Sequence, residues 1–353
     1  MELTWPAPLA PQAFAGTPLD RSAAGDSAKD SGFLRKCASE GARVLPVLEG
    51  GVLSGTFDGK KKRELFWLNL DELPLAPWGL GAASLSNDAQ EEVSKDELEL
   101  YLLGRSPEGM WCFAVDVSAR AAEVKATASA QGLQHLPVLT LLFMRMLSDS
   151  DLAIAGHAAA LVRWHAGMRF CGRCGSRTRA VEGGLKRQCK EPRHKLYPRT
   201  DPVVLALVTS KDGQRCLLGH SKGLPPGMFT ALAGFCELSE GVEEAVRREV
   251  MEEAGVRCGR VTIVGSQPWP LGRAGACELT CGCLAVAETE EIVPNAELED
   301  VRWFDRETAA QMLARSRERR PPPGELCVPG DFALAHHLVQ RWLEQPPPIS
   351  SKQ

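Results

Sequence analysis

Residues Gly234 to Val256 read GFCELSEGVEEAVRREVMEEAGV, and the spacing predicts a helix over Val242 to Ala254 that cannot pack as an ordinary one. At 100° per residue, Val242, Ala245, Val246 and Val250 form an apolar stripe, while Glu249, Glu252 and Glu253 project on it or beside it. An ionised carboxylate facing a core costs several kcal/mol unless it is paired or bound to a metal. A hard divalent cation with oxygen ligands resolves the conflict, and the i, i+3, i+4 spacing makes the cage. A solvated acidic face would set its apolar residues opposite the carboxylates rather than among them. Ahead of the helix, Gly234 allows close approach of the backbone to a ligand, and Glu240 and Arg248 can form a charge pair that orients the cage. Behind it, Gly255 suits a left-handed cap.

The chain has 353 residues, enough for two domains, with 44% hydrophobic and 24% charged residues. A net charge of -4 and a pI near 6.0 argue against a protein built around general nucleic-acid affinity. The basic runs at 60–63 and 317–320 read as solvated loops. No apolar run reaches the ~18 residues of a membrane helix, so a soluble protein is expected. Twelve cysteines in a chain of this size, with no secretory leader at its start, point to reduced thiols plus one metal site. Cys37, Cys112, Cys216, Cys236, Cys258 and Cys327 read mostly as small core hydrophobes, and Cys277, Cys281 and Cys283 as packing within a strand.

Along the chain, residues 1 to about 30 show little periodicity and 346–353 read as a frayed tail, so both ends are expected to be mobile. Strands are expected at Ala42 to Leu53, Glu64 to Leu70, Leu98 to Leu103 and Met110 to Val117, and helices at Leu139 to Met146 and Ala153 to His165. This makes an N-terminal α+β domain over 1–165. A Cys-, Gly- and Arg-rich segment at 166–199 separates it from a second domain over 200–345. That domain opens on the buried-strand run Val203 to Val208 and includes strands near Val261 to Val264 and Cys281 to Val286. Helices at Ala309 to Arg315 and Phe332 to Trp342 close it.

In the Cys-rich segment, Cys171 and Cys174 form a C-x2-C knuckle, and Cys189 follows without the second knuckle of a zinc ribbon. His194 lies five residues further on, and imidazole binds zinc as readily as thiolate does. Cys171, Cys174, Cys189 and His194 are therefore expected to hold one structural Zn²⁺. A decayed site held by packing and a redox C-x-x-C are the alternatives.

Ten residues after the helix, Ser266-Gln267-Pro268-Trp269-Pro270 sets an aromatic plate between two prolines and beside an amide. Such an element can shape a pocket for a flat ring with little ordering cost. Taken together, the Cys-rich segment, Tyr197-Pro198-Arg199, Asp201-Pro202-Val203-Val204, the Gly234 to Val256 stretch and SQPWP resemble the NADH pyrophosphatase subfamily of Nudix hydrolases. The 234–256 stretch matches every fixed position of the Nudix box, G-x5-E-x7-R-E-U-x-E-E-x-G-U. The resemblance covers about 165–342 well. Phe14 to Arg21 and Ile154 to His157 extend it weakly into the first domain.

The resemblance implies a Nudix α/β/α sandwich behind the α+β domain, as a homodimer, that hydrolyses NADH or NAD⁺ to nicotinamide mononucleotide and AMP with two or three Mg²⁺ or Mn²⁺ ions. It implies Glu249, Glu252, Glu253, the Ala233 carbonyl and Glu297 as metal ligands, with Arg248 and Glu240 supporting catalysis. It further implies nucleotide contacts from Tyr197, Gln267, Pro268, Trp269, Pro270 and Ala335. Two departures stand out: Leu271-Gly-Arg-Ala274 replaces the family's usual Phe-Pro-x-Ser, and the ribbon lacks its fourth cysteine. Removal of the NAD cap from RNA, with Lys186, Arg187, Lys190 and Arg193 meeting the RNA, is an alternative role. A broader action on ADP-ribose or dinucleoside polyphosphates is another, and a catalytically silent adaptor a third. Cytoplasmic placement is the default, and the terminal Ser351-Lys352-Gln353 leaves a peroxisomal or other organellar address open.

Overall fold

The computed structural model describes residues 9–10, 12–56, 62–75, 83–88, 97–190, 193–270, 272, 276–316 and 324–346. The run 317–320, Leu271, Arg273, Ala274 and residues 347–353 lie outside the described residues, as does part of the run 60–63. By internal contacts the chain forms two compact units: Met1–Ala13, Asp201–Pro268 and Glu278–Gln353 make one, and Phe14–Thr200 with Trp269–Cys277 the other.

The Phe14–Thr200 unit is α+β. Strands β1 (Ala42–Leu48), β2 (Gly51–Gly55), β3 (Glu64–Leu65), β4 (Leu68–Asn69), β5 (Leu100–Arg105), β6 (Trp111–Asp116) and β7 (Gln134–Pro137) form one sheet. Its path is β3-β2-β1-β6-β5, with β4 on β1 and β7 on β2, and only the β1–β6 pairing is parallel among the described residues. Helices α1 (Phe33–Glu40), α2 (Ala121–Ala130), α3 (Val138–Phe143) and α4 (Asp149–Gly167) accompany it. Val44, Leu48, Leu53, Leu102, Phe113 and Val115 are the centre of its core.

The single strand expected over 42–53 is a hairpin, because Glu49 and Gly50 both take positive φ and reverse the chain within an apolar run. Residues 12–30, expected to be mobile, are packed: Leu19, Ala24 and Ala28 are buried and Asp20 bridges to Arg105. Helices α1 and α2 were not expected. The buried face of α2 is only Val124 and Ala128, too sparse to give a periodic signal.

The other unit is a two-faced sandwich. Strand β11 (Thr200–Thr209) is central and pairs antiparallel with β12 (Arg215–Ser221) and β13 (Leu232–Phe235). The sheet runs β14-β15-β11-β12-β16, where β14 is Cys258–Trp269, β15 Cys277–Ala287 and β16 Leu298–Asp305. Alternate residues of β11 enter two different cores. Val204, Ala206 and Val208 pack with Ala245, Val246, Val250 and Ala254 of α5 (Val242–Ala254). Leu205 and Leu207 pack with Ala309 and Met312 of α6 (Arg306–Arg315) and with Leu334, Leu338 and Trp342 of α7 (Leu334–Glu344). A strand covered on both faces has no polar side, which is why 203–208 reads as an unbroken apolar run. Leu9 donates from its amide to the Val264 carbonyl (3.2 Å), so the first described residues lie against β14.

Between 168 and 197, β8 (Thr178–Val181), β9 (Lys186–Cys189) and β10 (Lys195–Leu196) form a small antiparallel sheet.

Candidate functional site

Helix α5 forms where the sequence places its caps. The Glu244 carboxylate accepts from the Gly241 amide (2.8 Å), and Glu243 and Glu244 put negative charge on the first turn, where the helix dipole favours it. At the other end Gly255 takes φ 69° and returns its amide to the Met251 carbonyl (2.9 Å). Ala245, Val246, Val250 and Ala254 are the buried face.

The carboxylates of α5 have three different surroundings. Glu253 is buried with the apolar face, Glu249 is half-buried, and Glu252 is exposed. Arg248 lies among the others. Its guanidinium binds Glu240 through two parallel bonds (Nε to Oε1, 2.9 Å; Nη2 to Oε2, 2.8 Å). The same side chain reaches Glu249 Oε1 (2.8 Å), Glu252 Oε2 (3.2 Å) and the Phe235 carbonyl (2.8 Å). The fork-to-carboxylate geometry is the strong form of this pair. Arg248 holds the Glu240 carboxyl below the usual carboxylate range, and Glu240 in turn raises the pKa of Arg248. Sequence spacing pointed to the Glu240 partner; the bond to Glu252 is an i, i+4 contact that the same spacing also contained.

Strand β13 presents its end to this helix. Ala233 and Gly234 pair with Leu205 and Val204, and a Cβ on Gly234 would overlap the carboxyl carbon of Glu249. The turn that follows is tight, with Ser239 at φ 66° and Glu237 donating its amide to Glu240 Oε2 (2.9 Å). Glu297 is exposed in a bend just before β16 and donates its amide to Asn295 Oδ1 (2.9 Å). Asn295 donates its own amide to the Glu253 carbonyl (3.4 Å), which ties the segment carrying Glu297 to the end of α5. The donor set at this end of α5 is all oxygen, the chemistry that a hard divalent cation takes.

In the Cys-rich segment, the ligand atoms of Cys171, Cys174, Cys189 and His194 all lie within 4.8 Å of one another. Cys171 Sγ is 3.5 Å from His194 Nδ1, and the Sγ atoms of Cys174 and Cys189 are 3.9 Å apart. Zn–S and Zn–N bonds of about 2.3 and 2.0 Å in a tetrahedron give ligand–ligand edges of about 3.5–3.8 Å. The backbone builds the knuckles: Gly175 donates to the Cys171 carbonyl (2.8 Å), and the His194 amide points at Cys189 Sγ (3.1 Å). Hydrogen bonds from the Ser176 side chain and amide bring the Cys174 thiol down to about 6, toward the thiolate that a metal requires.

Ser266 to Trp269 of the SQPWP element form the end of β14, and Pro270 follows in a turn. Gln267 is buried, and its amide is used inside the fold: Nε2 donates to the Phe332 (2.7 Å) and Ala13 (3.5 Å) carbonyls, and Oε1 accepts from the Leu334 amide (2.9 Å). Ala335 is buried on the first turn of α7. Pro268 is half-buried in the same unit. Trp269, Pro270 and Tyr197 belong to the other unit; Trp269 is half-buried, Pro270 is buried, and Tyr197 is exposed with Lys186 Nζ 5.1 Å from its ring centre.

Of the four basic residues expected to meet RNA, Arg187 and Lys186 are engaged within the fold. Arg187 is buried and spends its guanidinium on Thr178 Oγ1 (2.8 Å), the Thr178 carbonyl (2.9 Å), Glu99 Oε2 (2.9 Å) and His165 Nδ1 (2.9 Å). Lys186 pairs with Glu182 (2.7 Å). Lys190 and Arg193 are exposed. No local signal could have linked Arg187 to Glu99, because the two stand 88 residues apart. Among the described residues, no helix is long and apolar enough to cross a membrane.

Comparison with known proteins gives three family matches: the NUDIX domain over 199–331, the NADH pyrophosphatase zinc ribbon domain over 168–197, and the NADH pyrophosphatase-like rudimentary NUDIX domain over 67–164. Nudix hydrolase 19, chloroplastic, of Arabidopsis thaliana is 35% identical, over 88% of this chain and 78% of the relative. NAD(P)H pyrophosphatase NUDT13, mitochondrial, of Mus musculus is 36% identical, over 69% of this chain and 71% of the relative. NAD-capped RNA hydrolase NUDT12 of Homo sapiens is 42% identical over 59% of this chain, and the match spans only 45% of that relative's length.

Proposed function

The chain belongs to the NADH pyrophosphatase subfamily of the Nudix hydrolases, and from that premise we propose that it hydrolyses the diphosphate bond of NADH and NAD⁺ to nicotinamide mononucleotide and AMP. The observation that carries this reading is the gathering of Glu240, Glu249 and Glu252 on one guanidinium, with Glu253 buried on the same helix. In this reading Glu249, Glu252, Glu253, the Ala233 carbonyl and Glu297 hold two or three Mg²⁺ or Mn²⁺ ions. Bound there, such ions neutralise the diphosphate and lower the pKa of a coordinated water.

The protein's own part is positioning and proton transfer. Arg248, anchored by Glu240, fixes the Glu249 and Glu252 carboxylates in register. Gly234 leaves room for Glu249. Glu252, whose side chain is 54% exposed, faces solvent and is the carboxylate best placed to accept the proton of the attacking water. For the nucleotide we assign contacts to Tyr197, Pro268, Trp269, Pro270 and Ala335. Gln267 serves by fixing the end of β14 to the Phe332–Leu334 backbone that leads into Ala335. The Cys171, Cys174, Cys189 and His194 set holds one structural Zn²⁺. The domains are read as 1–165, 166–199 and 200–345, and the active form as a homodimer.

The test is a substrate panel of NADH, NAD⁺, ADP-ribose and dinucleoside polyphosphates with Mg²⁺ and with Mn²⁺. Formation of both mononucleotides from NADH, abolished by a chelator, is expected; an inert protein, or one that prefers ADP-ribose or a dinucleoside polyphosphate, would overturn the assignment.

A second reading makes the NAD cap of RNA the physiological substrate, since the scissile bond is the same and one relative is an NAD-capped RNA hydrolase by name. Lys190 and Arg193, both exposed, are then the ribbon residues that would meet phosphate. Comparing capped RNA with free NADH at several salt concentrations separates the two, because only a phosphate-binding ribbon gives a steep salt dependence.

A further inference from the structure

Two sequence segments that carry the family resemblance but no assigned role, Phe14 to Arg21 and Ile154 to His157, meet where Phe14 lies between Trp269 and Gly156. Phe14 is buried with its ring perpendicular to that of Trp269, at 89° and 5.8 Å between centres. Edge contacts of this kind fix the orientation of an aromatic plate as well as its place. Phe14 reaches this position with φ 68°, a left-handed conformation that a bulky residue adopts only when its surroundings enforce it. Those surroundings are visible in α4. A Cβ on Gly156 would stand 2.6 Å from Phe14 Cδ1 and 3.0 Å from Pro270 Cγ. The bare backbone of α4 at Gly156 is therefore the floor on which both Phe14 and Pro270 lie, on a helix where glycine otherwise weakens the element.

From this we infer that Phe14 and Gly156 are positioning residues for substrate: they hold Trp269 at the angle at which its indole receives a ring of the dinucleotide. The inference rests on the proposed NAD(H) reading for the ring, and on the geometry above for the rest. It accounts for a strained aromatic at the start of the unit and a glycine inside a nineteen-residue helix with one arrangement. In this role the two residues act through Trp269 and not through the carboxylates of α5, so their loss acts on substrate binding and leaves the chemistry in place.

The test uses Phe14→Leu, which keeps bulk but removes the aromatic edge, and Gly156→Ala, which pushes on Phe14 and Pro270 from the other side. Both are assayed in the full chain with Mg²⁺ for kcat and KM on NADH, and for inhibition by methylenediphosphonate, a competitor with a diphosphate-like group and no ring. The KM for NADH is expected to rise roughly three- to tenfold, the scale of one lost aromatic contact, with kcat within about twofold and the inhibition constant unchanged. Phe14→Tyr should keep the edge contact and the low KM. Parallel changes in the inhibition constant, or an unchanged KM in both variants, would overturn the proposal. Should the wild type leave NADH intact, the hydrolase reading fails instead, and equilibrium binding of NADH against methylenediphosphonate to the same variants decides the role of Phe14.

Discussion

The carboxylate of Glu249 occupies the space that a side chain on Gly234 would need. Gly234 pairs with Val204 on the central strand, so its backbone cannot retreat without disturbing the sheet. Substitution by alanine must therefore displace Glu249, which also carries a bond from Arg248. We expect Gly234→Ala to lower kcat on the order of 10²-fold, as a ligand moved by about 1 Å does, with the thermal midpoint little changed. Turnover near that of the wild type would show that Glu249 needs no fixed position.

Glu252→Gln and Glu253→Gln remove charge while keeping shape. Each is expected to cost on the order of 10²-fold or more in kcat at saturating Mg²⁺. The two should differ in stability: Glu253 is buried and Glu252 exposed, so only the Glu253 variant should change the unfolding midpoint. Measuring turnover and urea unfolding on the same samples checks both, and undiminished turnover in both variants would remove these carboxylates from the chemistry.

Elemental analysis of the purified chain should find one zinc per molecule. His194→Ala should lose it and unfold at lower temperature, because a structural zinc site contributes folding energy directly, whereas His194→Cys should retain it. Full zinc content in the alanine variant would place the fourth ligand elsewhere.

The buried Arg187 fixes the protonation of His165. Arginine only donates, so His165 Nδ1 accepts from it and Nε2 carries the proton given to the Gly184 carbonyl (2.8 Å). Burial first, then the Arg187 charge, push the His165 pKa down to about 3. The unfolded value is about 6.5, so below that pH the unfolded chain binds a proton that the folded one refuses. Stability should therefore fall as pH drops from about 6.5 toward about 3, and His165→Gln should flatten the slope in that window. Arg187→Met should cost about 3 kcal/mol, because it leaves the half-buried Glu99 without its cation, and should not alter the salt dependence of RNA cleavage. Urea unfolding at a series of pH values measures both effects.

Elements whose signal is local were legible from the residues alone. The α5 helix, its glycine and acidic caps, the three carboxylates on and beside an apolar stripe, and the Cys171-x2-Cys174 knuckle are all contained within one or two turns of chain. The two-sided burial of 203–208 was legible for the same reason, since an unbroken apolar run needs no partner to be seen. The rest depended on how the chain packs. It turned 42–53 into a hairpin, drew Arg187 into the interior 88 residues from Glu99, engaged the amide of Gln267 with the backbone at Phe332 and Leu334, and laid Phe14 against Trp269. One cause is common to these cases: a side chain's hydrogen-bonding and charge capacity is fixed by its type, but which partner uses it depends on groups that approach from distant parts of the chain.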